Sequence, residues 1–136
     1  MSDPASDRSP LELVQHAYQS FGRGDVQAML AVMSEDFEWD SRYPAGVPIA
    51  GVWRGHGGVL TMLKTLNETL DVLAFTVNEF IAQGDKVVVL GFDESRAKST
   101  GRTYHNDWVH VWAVQNGKLN RVRTYNDTAS ALSAFV

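Results

Sequence analysis

Two alternating runs that meet at Asn116-Gly117 constrain this 136-residue chain more than any other feature. Both residues of an Asn-Gly pair take positive φ easily, which suits the tight turn between two antiparallel strands. Side chains on a strand repeat every second residue, so Asn106, Trp108, His110 and Trp112 share one face of the first run. A face that only packs is more often plain aliphatic. Aromatic rings interleaved with polar groups describe the wall of a small-molecule pocket.

Length and charge narrow the class. A chain of this size fits one domain and can bury a core without crosslinks. The absence of cysteine removes disulfides and thiolate ligands. His105 and His110 are an odd number of residues apart, so they point to opposite strand faces and cannot share an ion. No metal and no cofactor are expected. A formal net charge of −4 without a clustered Lys/Arg run argues against a nucleic-acid groove. No apolar run approaches a membrane span, and the first eight residues are polar. The expectation is a soluble, cytoplasmic protein with a disordered start at residues 1–8 and a single domain over 9–136, without nucleic-acid or membrane partners.

The order of elements follows from caps and periods. Ser9-Pro10-Leu11-Glu12 forms a capping box with proline at the first helical position. Val14, Ala17, Tyr18 and Phe21 continue at helical spacing until Gly22 and Gly24. Asp25 caps a shorter helix that buries Val26, Met29, Leu30 and Met33. Phe37, Trp39 and Ser41 alternate with Glu38 and Asp40 as in a strand, and Pro44, Gly46 and Pro48 then predict a loop. Val59, Met62, Leu63, Leu66 and Leu70 predict a third helix after Gly57-Gly58. Four strands follow, at about Val72 to Ala82, Lys86 to Lys98, Thr103 to Gln115 and Lys118 to Asn126. Their short separators demand antiparallel hairpins. A last helix from Thr128 would set Leu132 and Phe135 on the sheet. Helices first and a meander after them give an α+β class with helices packed on one sheet face.

Phe21-Gly22-Arg23-Gly24-Asp25, Trp53-Arg54-Gly55-His56, Gly84-Asp85-Lys86-Val87-Val88-Val89, Thr100-Gly101-Arg102, Gly117-Lys118-Leu119 and Asp127-Thr128 carry a resemblance that spans nearly the whole chain. In order and spacing they resemble the nuclear transport factor 2-like superfamily, in particular its SnoaL-like branch, whose relatives include ketosteroid isomerase and limonene epoxide hydrolase. The resemblance implies a cone-shaped α+β barrel, with a curved mixed or antiparallel sheet around an internal apolar cavity, and a dimer. It says less about function, because one fold hosts many chemistries.

Position by position, the resemblance transfers unevenly. The isomerase's general base falls on or near Ser41, where the carboxylate is missing, and Asp40 next door points to the other face. Its tyrosine lies one position from Tyr18, a step that turns Tyr18 away by about 100°. Its protonated aspartate, a carboxyl kept neutral by an apolar site, aligns with His110. The epoxide hydrolase's central aspartate aligns with Asp93, but its arginine and second aspartate correspond to Gly91 and Thr124. Asp93 and His110 survive as an acid-base pair on neighbouring strands facing one cavity.

The expected site therefore has Asp93 and His110 as catalytic groups and Phe37, Trp39, Tyr43, Trp53, Trp108 and Trp112 as aromatic contacts. Thr124 and Asn126 add polar contacts. Plainer readings stand beside it: His110 as a satisfied core histidine, Asp93 at the rim beside Arg96 or Lys98, the indoles as ordinary core, and His56 bonded to a turn. Arg121, Arg123 and Tyr125 belong to the opposite face with Val109, Val111 and Ala113, whose apolar strip implies a homodimer through the outer sheet face. The favoured function is a SnoaL-like protein that binds a small, largely apolar or aromatic molecule and acts as an isomerase, cyclase or hydrolase by proton transfer. The alternatives are a noncatalytic carrier or sensor using the same cavity, and a dimerising interaction module.

Overall fold

Ser9 begins the first helix as its sequence requires. Its hydroxyl accepts from the Glu12 backbone N–H and the Glu12 carboxylate accepts from the Ser9 N–H, both at 3.1 Å. Such a cap is worth about 1 kcal/mol. The computed structural model describes residues 8–136, so the expectation of disorder lies, apart from Arg8, outside the described residues. Helix α1 spans Pro10–Gly22, and α2 spans Val26–Ala31, capped by Asp25. Helix α1 buries Leu13, Val14, Ala17 and Ser20 against the sheet.

Strand β1, Met33–Arg42, extends beyond the expected Phe37 to Ser41. The segment after the prolines is not all loop. Gly51–Arg54 forms a short strand, β2, antiparallel to β1 with Trp53 opposite Trp39. Four mostly exposed residues between glycines carry too little alternation to announce a strand, and pairing with β1 supplies what the pattern lacks. Helix α3, Gly55–Thr69, starts before the Gly57-Gly58 pair, which lies inside its first turn. A Cβ on Gly58 would sit 3.0 Å from the Trp53 carbonyl carbon, so a larger residue there would have to press that backbone aside.

Strands β3 (Leu70–Gln83), β4 (Lys86–Ala97), β5 (Thr103–Gln115) and β6 (Lys118–Tyr125) match the expected meander to within a few residues. Asn116 and Gly117 take φ of 54° and 74°, as the β5–β6 turn demands. The sheet order is β2-β1-β6-β5-β4-β3, with β1 parallel to β6 and every other pair antiparallel. It is a six-stranded mixed sheet that does not close, and the helices fill its concave side.

Helix α4, Thr128–Phe135, is capped by Asp127. It buries Ala131 and Ala134, and the expected Leu132 and Phe135 pack half-buried against the same cluster, with Phe135 6.5 Å from the Tyr104 ring of β5. The outer face also departs from expectation. Val109 and Val111 are half-buried and Ala113 is buried, where a bulge between Ala113 and Val114 breaks the pleat. The exposed apolar side chains on the sheet belong mainly to β3: Val72, Leu73, Phe75 and Ile81. No helix among the described residues is long and apolar enough to cross a membrane.

The core divides into two apolar clusters. One gathers Leu13, Val14, Met29, Phe37, Val89, Trp108 and Trp112. The other gathers Val47, Ile49, Met62, Leu70, Tyr104, Ala131 and Ala134. Neither cluster fills the space between them.

Candidate functional site

The cavity opens at that seam, and its wall draws on both clusters. Its volume is about 110 Å³. The wall is overwhelmingly apolar and includes Trp39, Trp108, Trp112, Tyr18, Tyr43 and Tyr104. Strand parity is as expected: Asn106, Trp108, His110 and Trp112 all look inward, and Asp93 joins them from β4.

Gly91 explains how an indole can lie across β4. Gly91 is the partner of Trp108, and a Cβ there would meet the indole ring at 2.4 Å and the Thr76 carbonyl oxygen at 2.2 Å. The position aligned with the hydrolase's arginine is thus occupied from across the sheet by Trp108. Phe75 stacks on the same indole at 5.2 Å, and the His110 ring stacks on it at 3.9 Å.

Asp93 and His110 share the cavity but do not form a pair. Asp93 lies opposite Asn106 and His110 opposite Val89, four residues further along the ladder. At about 3.4 Å per residue their backbones are about 14 Å apart. Each has its own partners.

Asp93 accepts from the Ser95 hydroxyl at 2.6 Å and from the Asn106 amide at 2.9 Å. Burial raises its pKa above the usual carboxylate range, while those two hydrogen bonds and the nearby His105 pull it back down. Its expected neighbours at the rim are engaged elsewhere: Arg96 and Lys98 both reach Asp71. Asn106, fully buried, is the hub of this end. Its side-chain oxygen accepts from the Asp127 backbone N–H at 2.8 Å. Its amide nitrogen lies 2.9 Å from Asp93, 3.1 Å from the Tyr43 hydroxyl and 3.1 Å from Asn126, so two hydrogens face three acceptors. Asn126 also donates to the Thr124 hydroxyl at 3.0 Å. Burial pushes the hydroxyls of Tyr43 and Tyr104 up, the latter to about 12, and the Asp93 charge adds to both.

His110 meets a different partner. The Tyr18 hydroxyl lies 2.6 Å from its Nδ1, and the Trp112 indole N–H donates to that hydroxyl at 3.0 Å. The expected turn of Tyr18 away from the cavity is wrong. Tyr18 continues the α1 stripe of Val14 and Ala17, and the stripe faces the wall. Burial lowers the imidazole pKa to about 3, leaving it neutral near pH 7.

Of the expected contacts, Trp39, Tyr43, Trp108, Trp112, Thr124 and Asn126 line the cavity. Phe37 and Trp53 do not. Phe37 is fully buried beneath Trp112, 6.2 Å between ring centres, and the Trp53 indole donates to the Ile49 carbonyl. Ser41 lines the cavity while Asp40 turns outward to Arg42 and Arg123, as strand parity predicts. His56 bonds the Met33 carbonyl at 3.0 Å, a structural role. No group of three or more metal-ligating side chains among the described residues is placed to hold an ion.

His105 points the other way, between Glu94 at 2.6 Å and Asp107 at 2.8 Å. Its hydrogen bonds to Glu94 and Asp107 raise its pKa to about 9. A raised histidine contributes stability that is complete below its unfolded pKa, near 6.5, and lost as pH climbs through about 9. A depressed one does the reverse: the His110 contribution is complete above 6.5 and lost as pH falls toward about 3. In an NMR titration His105 should therefore change with a midpoint near 9, while His110 should stay neutral down to about 3. A His110 midpoint near 6.5 would mean that the ring is solvated.

Residues 14–122 match the SnoaL-like domain. The chain belongs to the SnoaL-like family. An NTF2-like protein from Burkholderia xenovorans LB400 is 34% identical and superposes with a TM-score of 0.85, covering 100% of this chain and 99% of its own. TerC, co-crystallized with polyporic acid, is 31% identical with a TM-score of 0.81, over 93% of this chain and 98% of TerC. An uncharacterized protein of Mycobacterium tuberculosis is 23% identical over 131 residues, 96% of this chain and 98% of the relative. The superfamily and the cone-shaped α+β fold implied by the sequence motifs are therefore established for this SnoaL-like chain.

Proposed function

We propose that this SnoaL-like protein binds a small, largely apolar or aromatic molecule in its cavity and moves a proton on it. The observation that carries the reading is a single desolvated carboxylate, Asp93, set in a wall of indole and phenol rings. Desolvation makes a carboxylate a better base than it is in water. Asp93 accepts a proton from a ligand C–H or O–H and returns it at a second position, the step shared by isomerases and cyclases. Ser95 and Asn106 hold the carboxylate in place and limit how far its pKa rises. His110, about 14 Å away along the strands, contacts the far end of the ligand instead of sharing the proton. That TerC was crystallized with polyporic acid supports an aromatic ligand here.

The test is Asp93→Asn, assayed on a substrate found by screening aromatic compounds with polyporic acid first. Turnover should fall by about 10²- to 10⁴-fold with binding retained. Unchanged turnover would remove Asp93 as the base. A second reading, a noncatalytic carrier, is favoured by one observation: both Asp93 oxygens already have donors. Saturable binding with no turnover by the native protein would decide for it.

A further inference from the structure

The polar end around His110 has a direction built into it. An indole N–H can only donate, so the Tyr18 oxygen accepts from Trp112. The Tyr18 hydroxyl hydrogen then needs an acceptor, and among the described residues its hydrogen-bond partner is His110 Nδ1 at 2.6 Å. The opposite arrangement, Nδ1–H donating to Tyr18, would leave an enclosed phenol hydrogen without an acceptor. No carboxylate touches the ring, so nothing favours a second proton on it. A neutral imidazole that accepts at Nδ1 carries its hydrogen at Nε2.

The Nε2 atom has no hydrogen-bond partner among the described residues, and the buried polar atoms that lack partners do not include it. It therefore keeps open surface, and the space beside His110 is the cavity. Trp108, stacked on the ring at 3.9 Å with planes 12° apart, fixes the plane in which that N–H points.

We infer that Trp112 and Tyr18 hold His110 as the Nε2–H tautomer, so that the cavity presents a neutral N–H donor and selects an aromatic ligand with a carbonyl oxygen at that end. The inference rests on the cavity being a ligand site. Within it, Tyr18 and Trp112 are positioning residues and His110 is the contact. A carbonyl left without its donor, or the donor without its carbonyl, forfeits a hydrogen bond in a water-poor site, and this sets the selectivity.

Two measurements test it. A long-range ¹H–¹⁵N correlation spectrum of the native protein should show His110 protonated at Nε2, and Tyr18→Phe should turn that single form into a tautomer mixture. Nε2 unprotonated in the native protein would overturn the inference. Separately, 9-fluorenone and fluorene differ by a carbonyl in place of a methylene within one tricyclic shape. The native protein should bind the ketone about tenfold more tightly, the scale of one hydrogen bond, and Tyr18→Phe should lose most of that preference. Equal binding of the two would overturn the selectivity while leaving the cavity as a ligand site. Binding of neither would overturn both the cavity reading and the selectivity. If Tyr18→Phe does not fold, the native spectrum and the native ketone preference still decide the question.

Discussion

Alanine at Gly91 is expected to destabilise the protein by about 3 kcal/mol, at the upper end of what overpacking one methyl group costs. The added carbon would lie 2.2 Å from a backbone oxygen of β3 and 2.4 Å from the Trp108 ring. The indole can swing away, but Thr76 is held in the β3–β4 ladder, where it faces Phe92. Relief therefore costs both the aromatic wall and local pairing. A urea midpoint shift of that size, with a change in tryptophan emission as Trp108 moves, is the expected result. Gly57→Ala is the matched control. Nothing lies within 4 Å of a Cβ there, and alanine in a helix should be neutral or stabilising by about 0.5 kcal/mol. Equal behaviour of the two variants would mean that Trp108 does not lie across Gly91.

Asn106→Leu should cost about as much by a different route. The change keeps the branched shape, in a somewhat larger side chain, but strands the Asp127 N–H, removes a donor from Asp93 and leaves Asn126 without its amide partner. Orphaned buried polar groups cost about 1–3 kcal/mol each, so a loss of about 3 kcal/mol or more is expected. The loss should also depend on pH in a defined direction. Burial already raises the Asp93 pKa, and losing the Asn106 donor raises it further. A carboxyl with a raised folded pKa is easiest to accommodate when protonated, so the deficit should be smaller in mildly acidic buffer than near pH 8. A deficit independent of pH would show that Asn106 acts only through Asp127 and Asn126.

How much of this was readable in the residues depends on what each pattern encodes. Alternation encodes a face, and the inward set of Asn106, Trp108, His110 and Trp112 was recovered because nothing interrupts the pleat before the bulge at Ala113/Val114. Alternation does not encode distance along the strand. The separation of Asp93 from His110 lies in the hairpin register, with Arg96 opposite Thr103 and hence Asp93 opposite Asn106. A short hairpin loop fixes that register, so the signal was present in the spacing of β4 and β5. Strand β2 was not readable, because four mostly exposed residues form it only by pairing with β1. Tyr18 was readable from the helical stripe it continues. The role of Asn106 was not, because its partners Tyr43, Asp93, Asn126 and Asp127 are brought together by four separate segments of the fold.

The central claim is that the seam between the two core clusters is a binding site for an aromatic molecule, with Asp93 at one end. A crystal structure of the protein soaked with polyporic acid tests this most directly. Density for the compound flat against Trp108, extending toward Asp93, is the expected result. A fully occupied compound found only on the outer sheet face, with side chains collapsed into the seam, would contradict it.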